Sequence, residues 1–297
     1  MDQLTLLTVH AHPDDEASKG PATVARYHAE GVRTVLVTCT GGEAGDILNP
    51  AMDVPGVRDR LAEVRREELT EAARVIGYDE VVWLGYRDSG MPGTPANEDP
   101  ACFGRAPLEE AVGRLVAVIR RTRPQVMVIY PPDQSGYPHP DHLRVSDIGE
   151  AAFDAAADPD LYPDAGEAWA VSKLYYVGWS ARRVVAIHEK FLELGLESPW
   201  DGERLERSRA ALAAEATGPE LPKAAVDVTG HADVRRRALL AHRTQVDPTS
   251  RHWFGLPDEV ADSVYPVDDY ELGRSRVPVE APESDLFAGV RHPARVT

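Results

Sequence analysis

Two short segments concentrate the groups that do chemistry at neutral pH. His10-Ala11-His12-Pro13-Asp14-Asp15-Glu16 places two imidazoles and three carboxylates in one run, directly behind an apolar stretch. Far downstream, Tyr137-Pro138-His139-Pro140-Asp141-His142 pairs histidine with aspartate again. His12 and Asp15 stand three apart in a turn shaped by Pro13, so both can converge on one ion, and His142 supplies a third donor. Two imidazoles and one carboxylate leave a coordination position open, the pattern of a catalytic rather than a structural zinc site. Zn2+ there polarises a carbonyl and lowers the pKa of water to about 7. Asp14, beside a ligand but not needed as one, is placed to take that water's proton. His139 can protonate a leaving amine or steady an oxyanion, with Asp141 fixing its tautomer and Tyr137 donating to the same oxyanion. The same ligand set also suits Fe2+.

These groups need elements that bring them together. Apolar, β-rich runs at 4–10, 32–40, 80–85 and 125–130 read as strands. Helical patterning at 21–30, 58–76 and 107–121 separates them, with Gly31 and Gly77 as helix stops. Such alternation specifies an α/β, Rossmann-like fold, a mostly parallel sheet with helices on both faces. Ligands bind such sheets at the carboxyl ends of the strands. Each polar cluster falls there: "AHPDDE", "GGEAGD" at 41–46, Arg87-Asp88-Ser89-Gly90, and the run from Pro131 to His142. The second half reads as a smaller C-terminal α/β part, with a strand at 171–177 and helices at 181–194, 204–216 and 232–243. The segment 156–167 marks a boundary, giving a metal-site domain at 1–165 and a part at 166–297 that completes the pocket. From Val277 the proline-rich chain reads as a docked or mobile tail.

Composition narrows the partners. The chain of 297 residues is 43% hydrophobic and 27% charged, with a net charge of −17. That balance fits a globular protein and disfavours nucleic acid or anionic membrane as partners, since both are polyanions. Two cysteines, Cys39 and Cys102, are too few for a disulfide framework. Each lacks a histidine close in sequence and reads as a packed or surface thiol. With no long apolar window, the expectation is a soluble, cytoplasmic protein whose partner is a small molecule. Nothing in the sequence fixes its oligomeric state. The lone His188, His231 and His252 read as surface or satisfied buried groups.

The residues also carry a family resemblance. "HAHPDDEASKG", "TGGEAGDILNPAMD", "VRREEL", "DSGMPG", "GYPHPDH", "VSKLYYV" and "LLAHRTQVDP", in that order, resemble the LmbE-like superfamily of zinc-dependent N-deacetylases and amidases. Within it they resemble the group that hydrolyses mycothiol S-conjugates. The resemblance implies one zinc per chain on His12, Asp15 and His142, with Asp14 as general base. It also implies His139 as acid or charge stabiliser, Tyr137 at the oxyanion, and Asp141 orienting His139. The substrate implied is a thiol–sugar conjugate, cleaved to glucosaminyl-inositol and a mercapturic acid in detoxification or antibiotic biosynthesis. Asp46, Arg65 and Asp88 match sugar contacts, and Lys19 in "SKG" matches a cation near the cysteine conjugate. Arg65 could instead pair with Glu63 or Glu68 along its helix, and Asp88 could simply form a turn. One departure is Tyr130-Pro131-Pro132-Asp133, where relatives usually carry Tyr-Asp. Two alternatives stand beside the amidase reading: deacetylation of an N-acetylglucosaminyl-inositol or another N-acetyl sugar, and a non-catalytic metal- or thiol-binding module.

Overall fold

The computed structural model describes residues 3–133, 137–178, 180–200, 202–217 and 223–291. Among these residues, seven strands form one sheet: β1 (Thr5–His10), β2 (Arg33–Thr40), β3 (Glu80–Tyr86), β4 (Val126–Ile129), β5 (Lys173–Val177), β6 (Lys223–Asp227) and β7 (Val267–Ser275). Their order is β3-β2-β1-β4-β5-β7-β6. β1 to β5 run parallel, while β7 is antiparallel to both of its neighbours. The sheet therefore continues past residue 165, with β4 and β5 in direct parallel register.

β1 and β4 are buried along their whole length, and β2 along nearly all of it. A parallel strand covered on both faces must be apolar on both, which is why these segments read as continuous Val, Leu and Ile runs. The helices Pro21–Ala29, Leu61–Ile76 and Asp233–Ala241 pack together on one face, and Leu108–Thr122 and Pro140–Ala155 on the other. The Leu61–Ile76 helix buries Leu61, Leu69, Ala72 and Ile76, but also Arg65 and Glu68. Gly77 ends it at φ 97°, and a Cβ there would meet the His28 ring at 2.9 Å, so both backbone and space demand glycine.

Three of the elements outside the sequence expectations bear on the site and the sheet. The helix Pro140–Ala155 begins inside the second histidine segment, with Pro140 at its first turn and the His139 side chain accepting from Asp141 N–H as its cap. β6 and β7 were hidden because β7 carries charge: its inward positions are Asp268 and Tyr270, so the usual apolar alternation is broken by a buried carboxylate. No helix among the described residues is long and apolar enough to cross a membrane.

The tail after Val277 docks, as far as Arg291. Glu283 N–H donates to Lys223 O, and Ala225 N–H donates to Glu283 O. Leu286 and Phe287 are buried against Tyr27. The Glu283 carboxylate accepts from Lys173 Nζ at 2.5 Å and from the Tyr175 hydroxyl at 2.6 Å. Removing one partner of a buried ion pair strands the other charge, at a cost of about 3–5 kcal/mol. Glu283→Ala is therefore expected to lower the urea-unfolding free energy by about that amount. A loss below about 1 kcal/mol would show that the tail is held by its backbone bonds and apolar contacts without this ion pair.

Candidate metal centre

β1 lies between β2 and β4, where the connections reverse direction and the strand ends open a crevice. His10, the last residue of β1, is buried with Nδ1 3.0 Å from the Tyr130 hydroxyl. The chain then turns through Pro13, and Asp14 adopts φ 108°, a left-handed conformation rare for a residue with a Cβ. That turn starts the single-turn helix Asp15–Ser18 and faces Asp15 back toward His12. From the end of β4, the Pro140–Ala155 helix brings in His142.

Asp15 Oδ2 lies 3.5 Å from His12 Nδ1 and 3.4 Å from His142 Nε2. Bonds of about 2.1 Å at tetrahedral angles separate two donors by about 3.4 Å, so these groups fit one ion. All three residues are buried. His12 Nε2 stands 3.1 Å from Asp141 Oδ2, so Asp141 holds the proton on that nitrogen and a metal would displace the one on Nδ1, which faces Asp15. A second group, His12 with Asp88, His139 and Asp141, also has its atoms within 4.8 Å of one another. Asp141 in that group is already engaged, accepting from Ser89 N–H at 3.0 Å and from the Ser89 hydroxyl.

The electrostatics favour a cation. Burial alone would lower the His12 pKa, yet hydrogen bonds to Asp141, Asp15 and Asp88 hold it well above the ordinary value. Burial alone would raise Asp15, but Lys19 and His142 keep its carboxyl well below the usual range. His142 is lowered, first by burial, and so presents a neutral ring. An ionised Asp15 and a neutral His142 are the protonation states a metal requires.

Asp14 is held at both its carboxylate and its backbone. Its Oδ2 accepts from Arg65 Nη2 at 2.8 Å, and its backbone N–H donates to Glu16 Oε2 at 2.9 Å. The other Glu16 oxygen is 2.6 Å from His242 Nε2, and both side chains are fully buried. Burial, with Asp15 and Glu16 nearby, raises the Asp14 pKa above the usual carboxylate range despite Arg65.

His139 is buried, with its ring 4.6 Å from that of His12. Its Nδ1 accepts from Asp141 N–H at 3.2 Å, which leaves the proton on Nε2. Burial, then repulsion from His12, lowers its pKa to about 4, so it is a neutral hydrogen-bond donor. Tyr137 stands half-exposed at the rim, its ring 5.1 Å from that of His142.

Several residues sit differently from expectation. The Asp141 carboxylate binds His12 and Ser89, so the part of Asp141 that orients His139 is its backbone N–H, which Pro140 at the helix start aims back at the ring. Arg65 pairs with neither Glu63 nor Glu68: it binds Asp14, Gly42 O and Pro13 O, while Glu68 accepts from Thr244. Its guanidinium is thus already engaged by the protein rather than presented to a sugar. Lys19 Nζ is 2.5 Å from Asp15 Oδ1, so it serves the ligand carboxylate. Asp88 both closes its turn, accepting from Gly90 N–H at 2.8 Å, and approaches His12 Nε2 at 3.5 Å. Asp46 does not join them: its side chain is 85% exposed, with Arg58 3.8 Å away. The carboxylate that reaches inward from that loop is Glu43, which accepts from Asp88 N–H at 3.2 Å. Asp133 is exposed, and Gly136 lies outside the described residues.

Comparison with known proteins places this arrangement. Residues 7–153 match the PIG-L family, described as GlcNAc-PI de-N-acetylase. Over 98% of both chains, the protein is 42% identical to a mycothiol S-conjugate amidase of Streptomyces coelicolor. It is 40% identical to a 1D-myo-inositol 2-acetamido-2-deoxy-alpha-D-glucopyranoside deacetylase of Geodermatophilus obscurus, covering 96% of this chain and 97% of the relative.

The chain belongs to the PIG-L, or LmbE-like, family.

It is accordingly a hydrolase of amide C–N bonds. Its fold is shared with the N,N'-diacetylchitobiose deacetylase from Pyrococcus horikoshii, at a TM-score of 0.61 and 18% identity, covering 91% of this chain and 84% of that one. The PIG-L match contains His12, Asp15 and His142 but ends before His242 and Thr244, which reach back to Glu16 and Glu68. Sequence reasoning gave no role to those two, nor to Glu43 and Ser89. The "LLAHRTQVDP" segment was the available signal, but its partners are over a hundred residues away and polar pairing leaves no periodic trace.

Because the Asp141 carboxylate fixes His12 while only its backbone N–H reaches His139, loss of that side chain is felt at the metal. Asp141→Ala is expected to weaken Zn2+ binding about 10–100-fold in competition with a chromophoric chelator. Unchanged affinity would return Asp141 to a role at His139.

Proposed function

We propose that this PIG-L family hydrolase uses Zn2+ to cleave the amide of a mycothiol S-conjugate, releasing glucosaminyl-inositol and an N-acetylcysteine S-conjugate. The observation that carries this reading is the end-to-end likeness to an amidase of that name, 42% identical, on a chain whose His–Asp–His donors lie at tetrahedral spacing. Fe2+ suits the same donors. The free, buried Cys39 and Cys102 fit a reducing, cytoplasmic setting.

His12, Asp15 and His142 would hold the ion, which when bound polarises the amide carbonyl and acidifies water. Asp14 takes one proton from the attacking water; its raised pKa suits proton exchange closer to neutrality than an ordinary carboxylate allows. Arg65 fixes one Asp14 oxygen, and Glu16 fixes its backbone, so the base is oriented before substrate arrives. As charge develops on the carbonyl oxygen, neutral His139 donates from Nε2 and Tyr137 closes the rim. The proton held by Asp14 then passes to the departing amine as the C–N bond breaks, and the acyl half leaves as a carboxylate.

Deacetylation is the second reading, because a relative at 40% identity bears that name. The two separate by rate. Zinc-loaded protein is expected to turn over the bimane conjugate of mycothiol faster than N-acetylglucosaminyl-inositol; the reverse order would overturn the amidase assignment. Metal bound with neither substrate hydrolysed would leave only a binding module.

Asp14→Asn is expected to retain zinc by elemental analysis while turnover drops about 10²–10⁴-fold. Wild-type rates in that variant would remove Asp14 from the mechanism.

A further inference from the structure

A cavity of about 100 Å³ lies beyond the metal centre, between the helices Ala181–Glu193 and Asp233–Ala241 and the segment 251–264. Its walls are largely apolar and aromatic: Ile187, Phe191, Trp200, Trp253 and Phe254. Four arginines also line it, but each is matched by acid. Arg183 and Arg235 both bind Asp268, Arg236 binds Asp258, and Arg251 binds Glu197. The cavity therefore offers no spare charge to an anion, and what it can gain from a guest is apolar contact.

The cavity shares part of its lining with a narrow cleft that starts beside the metal-site turn. Arg183, Arg235 and Asp268 also line this cleft, which includes Ser18 and Gly20. Those two residues flank Lys19, whose Nζ is 2.5 Å from the ligand carboxylate of Asp15. The cleft thus begins one helical turn from Asp15, about 5 Å along the axis. In a cysteine conjugate the sulfur is three bonds from the amide carbonyl carbon, about 4 Å. The reach from carbonyl to sulfur therefore matches the distance from Asp15 to the cleft. Almost every lining residue lies beyond the PIG-L match at 7–153, so the chemistry and the cavity are built by different stretches of chain.

We infer that this cavity receives the group carried on the substrate's sulfur, and that the group it takes is uncharged and apolar, about the bulk of one aromatic ring. A dry cavity of about 150 Å³ holds benzene; at about 100 Å³ this one encloses most of a single ring, with the attachment side left toward the cleft. This assignment rests on the amidase reading, and the test separates the two. S-benzyl- and S-methyl-N-acetylcysteine are titrated calorimetrically into the zinc-loaded protein, and the matching mycothiol conjugates are assayed for cleavage. The benzyl ligand is expected to bind about tenfold tighter or better. Ala232→Phe, which fills the cavity from its half-exposed wall, should erase that preference. The same variant should lower kcat/KM for the S-benzyl conjugate about tenfold and leave the S-methyl conjugate within about twofold. Ile187→Ala, which enlarges the cavity, should weaken the benzyl preference without a fold defect. Equal binding of the two ligands, or equal effects of Ala232→Phe on both, overturns the assignment. Benzyl preference that Ala232→Phe abolishes, in a protein that cleaves neither conjugate, supports the cavity as an apolar-group site and overturns the amidase reading alone.

Discussion

The Asp15 carboxylate has to be ionised, buried and fixed at the same time, and these demands conflict. Burial of a carboxylate favours its neutral form, and a neutral acid is a poor metal ligand. The fold resolves the conflict by surrounding both oxygens. Oδ1 faces Lys19 Nζ, while Oδ2 accepts from His12 N–H and faces His12 Nδ1 and His142 Nε2. Those partners come from the β1 turn, its following helical turn and the helix after β4, so the site exists only when β1 and β4 are side by side. The parallel pairing in the middle of the sheet and the geometry of the donors are one constraint.

A second demand falls on Asp14. Its left-handed backbone is costly for any residue with a Cβ, by about 1–3 kcal/mol, and persists only when its surroundings over-determine it. Glu16 supplies that support by accepting the Asp14 N–H, and Arg65 does so by spanning Pro13 O, Gly42 O and the Asp14 carboxylate. Gly42 has to be glycine for this, because its φ is 66° and a Cβ would overlap the Arg65 guanidinium. Each support is in turn anchored: Glu16 by His242, and the helix carrying Arg65 by the Glu68–Thr244 bonds. The polar residues buried in the Leu61–Ile76 helix are therefore part of the site's scaffold.

This arrangement explains what could be read from residues alone. Strands with continuous apolar runs and helices with a single apolar stripe leave periodic traces, so β1 to β5 and the helices between β1 and β4 were legible. The metal donors were legible because their residue types are rare together and fall at strand ends. β7 was not, since its inward Asp268 is satisfied by Thr23, Arg183 and Arg235 from three other segments. The partners of three polar groups show the same limit. Arg65, Lys19 and Asp141 were expected to face substrate or His139; the Arg65 guanidinium and the Asp141 carboxylate meet partners distant in sequence, while Lys19 meets Asp15 four residues before it. Polar residues announce that chemistry is near; only the fold says which of two neighbours receives the hydrogen bond.

The two stretches of chain are coupled more tightly than their roles suggest. The first supplies the donors and the base, while the second supplies β6 and β7, the helix ending at His242 and most of the cavity walls. Substitution in the second stretch is not uniform in consequence. At His242 it would strand a fully buried Glu16 carboxylate beside Asp14, disturbing the base through its backbone. Around Ile187 and Ala232 it would alter only the room offered to a guest, since neither side chain contributes to that polar network. A single family can then keep one hydrolytic centre and change what it hydrolyses, provided changes fall on the cavity side of the Arg235–Asp268 pair and not on the His242 side. The physical boundary between catalysis and selectivity runs through the Asp233–Ala241 helix, with Arg235 facing the cavity and the His242 that caps its end holding the base.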